Sequence, residues 1–155
     1  MTVTADDIRN AATLLEGHVL RTPFVDAPML SRTLGCNLVL KLECLQHTSS
    51  FKARGAYVAM MALDEGQKQR GVIAMSAGNH AQAVAYHAQQ MGIPAVIVMP
   101  AQTPFAKVAR TRSFGAEVVL EGRNLNECES TVADLIDQRG LTLVHPYDNE
   151  LVMTG

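Results

Sequence analysis

Apolar residues recur along the chain at two different spacings. Ile8, Ala11, Ala12, Leu14 and Leu15 fall on one face of a helix, Thr4 and Asp7 ahead of them have the spacing of a capping box, and Gly17 marks the stop. Asp26, with Pro28 just inside and Gly35 just beyond, brackets a second, shorter helix through Leu30 and Leu34. From Asn37 the pattern shortens: residues 37–42 read as a strand, and further short apolar runs follow at 72–75, 95–99, 118–120 and 141–144. Helix-length segments at 51–63, 80–91, 104–114 and 125–138 separate them, three ending at Gly92, Gly115 and Gly140. Strand and helix in alternation predict an α/β fold, a parallel twisted sheet with helices on both faces. The longest irregular connection, residues 43–50, follows the first strand. In such sheets ligands sit beyond the C-terminal ends of strands, so function is to be sought there.

The chain has 155 residues, enough for one ordinary domain, and 48% of them are apolar, enough for a core. A formal charge of −2 and the lack of any basic block or aromatic-basic ladder argue against nucleic acid and for a small-molecule ligand. The N-terminus lacks the basic start and apolar stretch of a signal peptide, and no apolar run approaches membrane-spanning length, so a cytoplasmic protein without a membrane partner is expected. Cys36, Cys44 and Cys128 are odd in number and widely spaced; they predict core residues or idle thiols rather than a disulfide framework or a zinc knuckle. His80, His87 and His145 form no HExxH or compact ligand set, and no metal is expected.

Two segments carry candidate chemistry. Thr48-Ser49-Ser50-Phe51-Lys52 places a lysine in the first turn of a predicted helix, where the helix dipole opposes an ammonium ion by about 0.3–1 kcal/mol. Alone, such a lysine reads as a surface side chain; partly buried, it becomes a nucleophile or base. No GxxxxGK[ST] surrounds it, which removes the phosphate-loop explanation. Arg54 points to a different face, as a structural ion pair or an anion contact. The second segment, Ser76-Ala77-Gly78-Asn79-His80-Ala81-Gln82, leads from a strand into a helix. Its small residues and free helix-start amides suit a carboxylate or phosphate, although the same composition suits a plain capped turn. His80 is read as a neutral imidazole donating to a capping group, in a structural or ligand-orienting role.

Lys41-Leu42-Glu43, Gln46-x-Thr48, Ser50-Phe51-Lys52-x-Arg54-Gly55-Ala56 and, after a strand, Ser76-Ala77-Gly78-Asn79-His80-Ala81-Gln82 closely resemble the serine/threonine dehydratase (threonine ammonia-lyase) group of fold type II pyridoxal-phosphate enzymes. The likeness continues through Gly92-Ile93-Pro94, Val98-Met99-Pro100, residues 115–119 and His145-Pro146-Tyr147-Asp148. The resemblance implies that pyridoxal 5'-phosphate is the cofactor and that Lys52 holds it as a Schiff base. It also implies that Phe51 borders the pyridine ring, that Asn79 bonds the ring's 3′-oxygen, and that Ser76, Gly78, Asn79 and His80 receive the carboxylate of a small amino-acid substrate. The implied reaction removes water from L-threonine or L-serine, leaving a 2-oxo acid and ammonia. Sister synthases usually carry Asp after the lysine and Thr in place of His80; this chain has Ala53 and His80. Racemases of the group often have a hydroxyl residue where this chain has Ala77, whose methyl group cannot exchange a proton. A serine racemase, a 3-hydroxyaspartate dehydratase and a non-catalytic anion- or nucleotide-binding α/β module are the competing readings.

Where the family commonly has Pro-Thr-Gly, this chain has His47-Thr48-Ser49, so a required positive φ would be strained at Ser49. His47 is either a specificity residue or a solvent-facing loop residue. The resemblance further implies that residues 1–43 begin the large domain, that 44–150 form the small α/β domain, and that 151–155 cross back. The Gly-rich loop that grips the cofactor phosphate would then lie beyond Gly155, in an enzyme that is a homo-oligomer when full length, with this piece inactive alone.

Overall fold

The computed structural model describes residues 2–155. Its first helix, α1 (Ala5–Leu15), opens on the expected capping box between Thr4 and Asp7 and buries Ala11 and Leu15. Two short strands, β1 (Phe24–Asp26) and β2 (Val39–Lys41), flank α2 (Pro28–Leu34), which stops at a left-handed Gly35. The strand expected at 37–42 therefore forms, but it pairs antiparallel with β1 and does not join the parallel sheet. Both faces of this ribbon are exposed.

Two turns of 3₁₀ helix, Glu43–Leu45 and His47–Ser49, lead into α3 (Lys52–Met61). A short helix absent from the sequence reading, α4 (Glu65–Arg70), starts at a capping box between Asp64 and Gln67. Then the predicted alternation sets in: β3 (Val72–Met75), α5 (Asn79–Met91), β4 (Ala95–Met99), α6 (Phe105–Arg112), β5 (Glu117–Leu120), α7 (Leu125–Arg139) and β6 (Thr142–Leu143), closed by α8 (Glu150–Thr154). The strands form one parallel sheet in the order β5-β4-β3-β6.

Period-two alternation divides the core between the two faces of this sheet. Val72 and Ala74 of β3 and Ala95, Ile97 and Met99 of β4 face α3 and α5, where they meet Ala56, Met60, Ala81, Val84 and Ala85. Ile73, Val96 and Val98 point the other way, onto Cys128, Val132 and Leu135 of α7. Alanines line the packed faces of α3 and α5, so the two helices come close together. Gly55 marks an equally tight approach of α3 to α8: a Cβ there would lie 2.3 Å from the carbonyl oxygen of Val152. This packing fixes the start of α3 against the C-terminal edge of the sheet.

Candidate active site

Lys52 is the first residue of α3, as expected, and its backbone N–H is capped by Ser50 Oγ at 3.3 Å. Its half-buried side chain reaches across the chain, and Nζ donates to the Pro146 carbonyl at 2.5 Å. The same ammonium lies 5.3 Å from the centroid of the Phe51 ring, which is 58% exposed. Phe51, Lys52, Gly55, Pro146, Tyr147, Val152 and Met153 line a cavity of about 350 Å³. A primary amine and an exposed aromatic face thus share one open recess.

The second segment leaves β3 at its C-terminal end. Ser76 Oγ accepts the N–H of Gly78 at 3.2 Å, and α5 starts at Asn79 with no side-chain cap. Its first-turn amides are free to meet an anion. A Cβ on Gly78 would meet nothing within 4 Å, so the approach is open from that side, and Asn79 is exposed. Ser76, Gly78 and Asn79 lie outside the lining of the Lys52 cavity.

His80 connects the two places. Its ring is 3% exposed, and Nε2 lies 2.8 Å from the carbonyl oxygen of Val144, which can only accept, so Nε2 carries the proton. The partner is therefore a strand-end carbonyl and not the capping group expected from the sequence. Burial pushes the pKa of His80 down to about 4, with the nearby charges of Lys52 and His145 adding to the effect against the Val144 bond. The ring is neutral, and Nδ1 is buried without a partner. Val144 is held on its other side by its own N–H, which donates to Ile73 at 2.9 Å. Past it, His145 Nδ1 accepts from the Asp148 N–H at 2.8 Å, and Asn149 Oδ1 caps α8 through Val152 at 3.0 Å.

The loop ahead of Lys52 is held at both ends. The Gln46 side chain clamps the Leu20 peptide, accepting from its N–H and donating to its carbonyl, each at 2.8 Å. His47 stacks on Tyr86 with centroids 5.0 Å apart, and is half-buried rather than solvent-facing. Directly after them Thr48 and Ser49 both adopt φ of 59°, so the strain expected at Ser49 is present and extends to Thr48. Ser49 Oγ accepts from Arg110 of α6 at 3.3 Å, a link the sequence did not signal.

Arg54 resolves as an ion pair. It donates to Glu43 at 2.9 and 2.8 Å, while Thr22 Oγ1 donates to the same carboxylate at 2.5 Å. The Arg54 hydrogen bonds above all hold the Glu43 pKa down to about 2. His87, weighed in the sequence only as a metal ligand, is 2% exposed, leaves Nε2 unpartnered, and stands between the rings of Tyr57 and Tyr86. Burial lowers its pKa to about 4. Only its place in a long apolar helix could have signalled it.

The family model described as "Pyridoxal-phosphate dependent enzyme" matches residues 15–155. The chain belongs to this family. Among curated members it is 44% identical over 154 residues to the catabolic L-threonine dehydratase of Staphylococcus aureus (strain USA300), covering 99% of this chain and 44% of that protein. Among solved structures it is similar to a threonine deaminase from T.th., with 41% identity, a TM-score of 0.87, and coverage of 98% of this chain and 48% of that one. Serine racemase from Dictyostelium discoideum superposes with a TM-score of 0.92 at 35% identity, over 100% of this chain and 50% of that one. The chain thus spans about half the length of the relatives it matches. The family's cofactor fits the residues present: an amine for its aldehyde, an exposed ring beside that amine, and the uncapped helix start with Gly78 open in front of it.

Proposed function

We propose that this chain is part of a pyridoxal-phosphate ammonia-lyase that removes water from L-threonine or L-serine to give a 2-oxo acid and ammonia. The observation that carries the reading is the convergence of Lys52 and His80 on one segment, with Nζ on Pro146 and Nε2 on Val144, which ties the amine and the start of α5 to the same stretch of main chain. Similarity to an L-threonine dehydratase and a threonine deaminase supports the substrate class.

In this reading Lys52 would hold the cofactor through its amine, with Phe51 bordering it and Asn79 as a hydrogen-bonding contact. When bound, the cofactor supplies an electron sink for charge developing at the substrate Cα. The side chains of Ser76 and Asn79 and the free backbone amides at Asn79 and His80 would bind the substrate carboxylate, with Gly78 leaving its approach open, using the positive end of α5. Lys52, its amine freed when the substrate binds, would take the Cα proton. That proton would leave with the β-hydroxyl as water, and a second water would hydrolyse what remains to the 2-oxo acid and ammonia. Ala77 offers no proton on the opposite side, which favours elimination over racemisation.

We assign residues 1–43 to a larger domain, 44–150 to the small α/β domain, and 151–155 to the crossing back. The exposed β1–β2 ribbon, separate from the parallel sheet, supports that division. A cytoplasmic, homo-oligomeric enzyme of fold type II, acting on a small amino acid without nucleic-acid or membrane partners, completes the proposal. Among the described residues, no helix is long and apolar enough to cross a membrane. The test is turnover: the protein expressed in full, supplied with pyridoxal phosphate, releases ammonia from threonine or serine, and Lys52→Ala abolishes it. Racemisation without ammonia release would overturn the assignment.

A further inference from the structure

We propose that His80 acts through its side chain as a positioning residue for Lys52, by way of the main-chain strap from Val144 to Tyr147. This deepens the proposed function and rests on its assignment of Lys52.

The strap leaves the sheet at β6 and ends at the cap of α8. Its first residue, Val144, is fixed on both sides: its N–H donates to Ile73 of β3, and its carbonyl accepts from His80 of α5 at 2.8 Å. The carbonyl that accepts from Lys52 Nζ at 2.5 Å belongs to Pro146, two residues on. Within the strap, His145 Nδ1 accepts from the N–H groups of Tyr147 and Asp148 at 3.4 and 2.8 Å, so the segment turns as one unit. Proline adds a fixed φ at the residue that meets the lysine. The position of the Pro146 oxygen is therefore inherited from Val144, and that of Val144 from His80. Two helices that begin at the same edge of the sheet thereby share a common reference: α5 sets the strap, and the strap receives the amine of α3.

A neutral imidazole suits this task. A buried cation would be costly there beside the Lys52 ammonium, and an aliphatic side chain would leave the Val144 carbonyl unpaired. The side chain of His80 is thus separate in role from its backbone N–H, which belongs to the uncapped first turn of α5.

Three variants in the protein expressed in full test the inference: His80→Leu, which removes the donor; His80→Asn, which keeps polarity but is too short to reach Val144; and His80→Gln, whose amide can donate across the gap. The first readout needs no cofactor: the rate at which Lys52 is reductively methylated by formaldehyde and borohydride, measured by peptide mass spectrometry against Lys68 and Lys107 in the same sample. Leu and Asn are expected to change the Lys52 rate at least threefold relative to those two, with Gln within a factor of two of wild type. The second readout is kcat against KM for ammonia release, expected to fall about tenfold in kcat with KM changed less than threefold for Leu and Asn, and to recover with Gln. Unchanged Lys52 labelling in a folded Leu or Asn variant overturns the proposal. Should Leu fail to fold, Asn decides alone. A changed labelling rate in a protein that releases no ammonia from any hydroxy amino acid would sustain the strap and sink the dehydratase reading, so the two failures are distinguishable.

Discussion

The Glu43 carboxylate and the Arg54 guanidinium meet in two hydrogen bonds of 2.9 and 2.8 Å, joining the end of the N-terminal ribbon to the first turn of the helix that carries Lys52. Thr22 and Lys41 crowd the same carboxylate, and the Glu43 and Arg54 side chains are only 18% and 21% exposed. Removing one partner strands the other. Glu43→Gln is expected to lower stability by about 2 kcal/mol, as for a charge-assisted hydrogen bond with limited solvent access, and Arg54→Lys by less, since Lys keeps the charge but cannot reproduce the fork. Urea denaturation with an unchanged m-value checks both.

Acid should weaken the protein in two separate steps. His80 and His87 are neutral in the fold, each with a pKa held down to about 4 by burial, against 6.5 when exposed. A depressed imidazole pKa means that the unfolded chain binds more protons, so this contribution is fully present above pH 6.5 and lost as pH falls towards 4. Its size is at most about 3 kcal/mol per ring. The Glu43 contribution is likewise present above its unfolded value and lost later, as pH falls from 4.5 to about 2. Thermal unfolding across a pH range from about 7 to about 4 should show a steep decline that flattens in His87→Phe. A flat profile in the wild type would contradict the buried neutral rings.

Ser49→Gly is expected to raise stability by about 0.5–1 kcal/mol. The residue sits at φ of 59°, where an L side chain costs roughly 1–2 kcal/mol and glycine nothing. Greater freedom of the unfolded chain and loss of the Arg110 contact offset part of the gain. Chemical denaturation of the variant, compared with Ser49→Ala, separates the backbone effect from the lost contact.

Gly55→Ala is expected to be costly, by roughly 2–3 kcal/mol or more, because the new methyl would meet the Val152 carbonyl and force α3 from α8. Gly78→Ala, with open space at its Cβ position, should leave stability within about 1 kcal/mol of wild type while weakening any ligand that approaches there. Melting temperatures of the pair provide the check.

The short apolar runs made the parallel sheet and its helices legible, because β3 and β4 are buried on both faces and read as continuous apolar stretches, while α5 and α7 carry their apolar residues at helical spacing. The rule that adjacent strands share a sheet failed for β2, since its partner β1 is only three residues long and both faces of the pair are exposed. The helix α4 went unseen because Glu65–Arg70 holds no apolar side chain, although Asp64 and Gln67 carried its capping signal. At the candidate site, the helix-start position of Lys52 and the turn ahead of α5 were readable in the sequence. The strap was not, because Val144 and Pro146 act through main-chain carbonyls, which every residue possesses. The bond from Arg110 to Ser49 was hidden for a different reason: it joins residues 61 apart.

The central claim is that Lys52 is the residue that binds the cofactor. The protein expressed in full should be incubated with pyridoxal phosphate, reduced with borohydride, digested, and mapped by mass spectrometry. The account predicts the phosphopyridoxyl group on Lys52, and loss of both the label and the Schiff-base absorbance in Lys52→Ala. Stoichiometric label on Lys41, Lys68 or Lys107 instead, or an intact absorbance in Lys52→Ala, would contradict it.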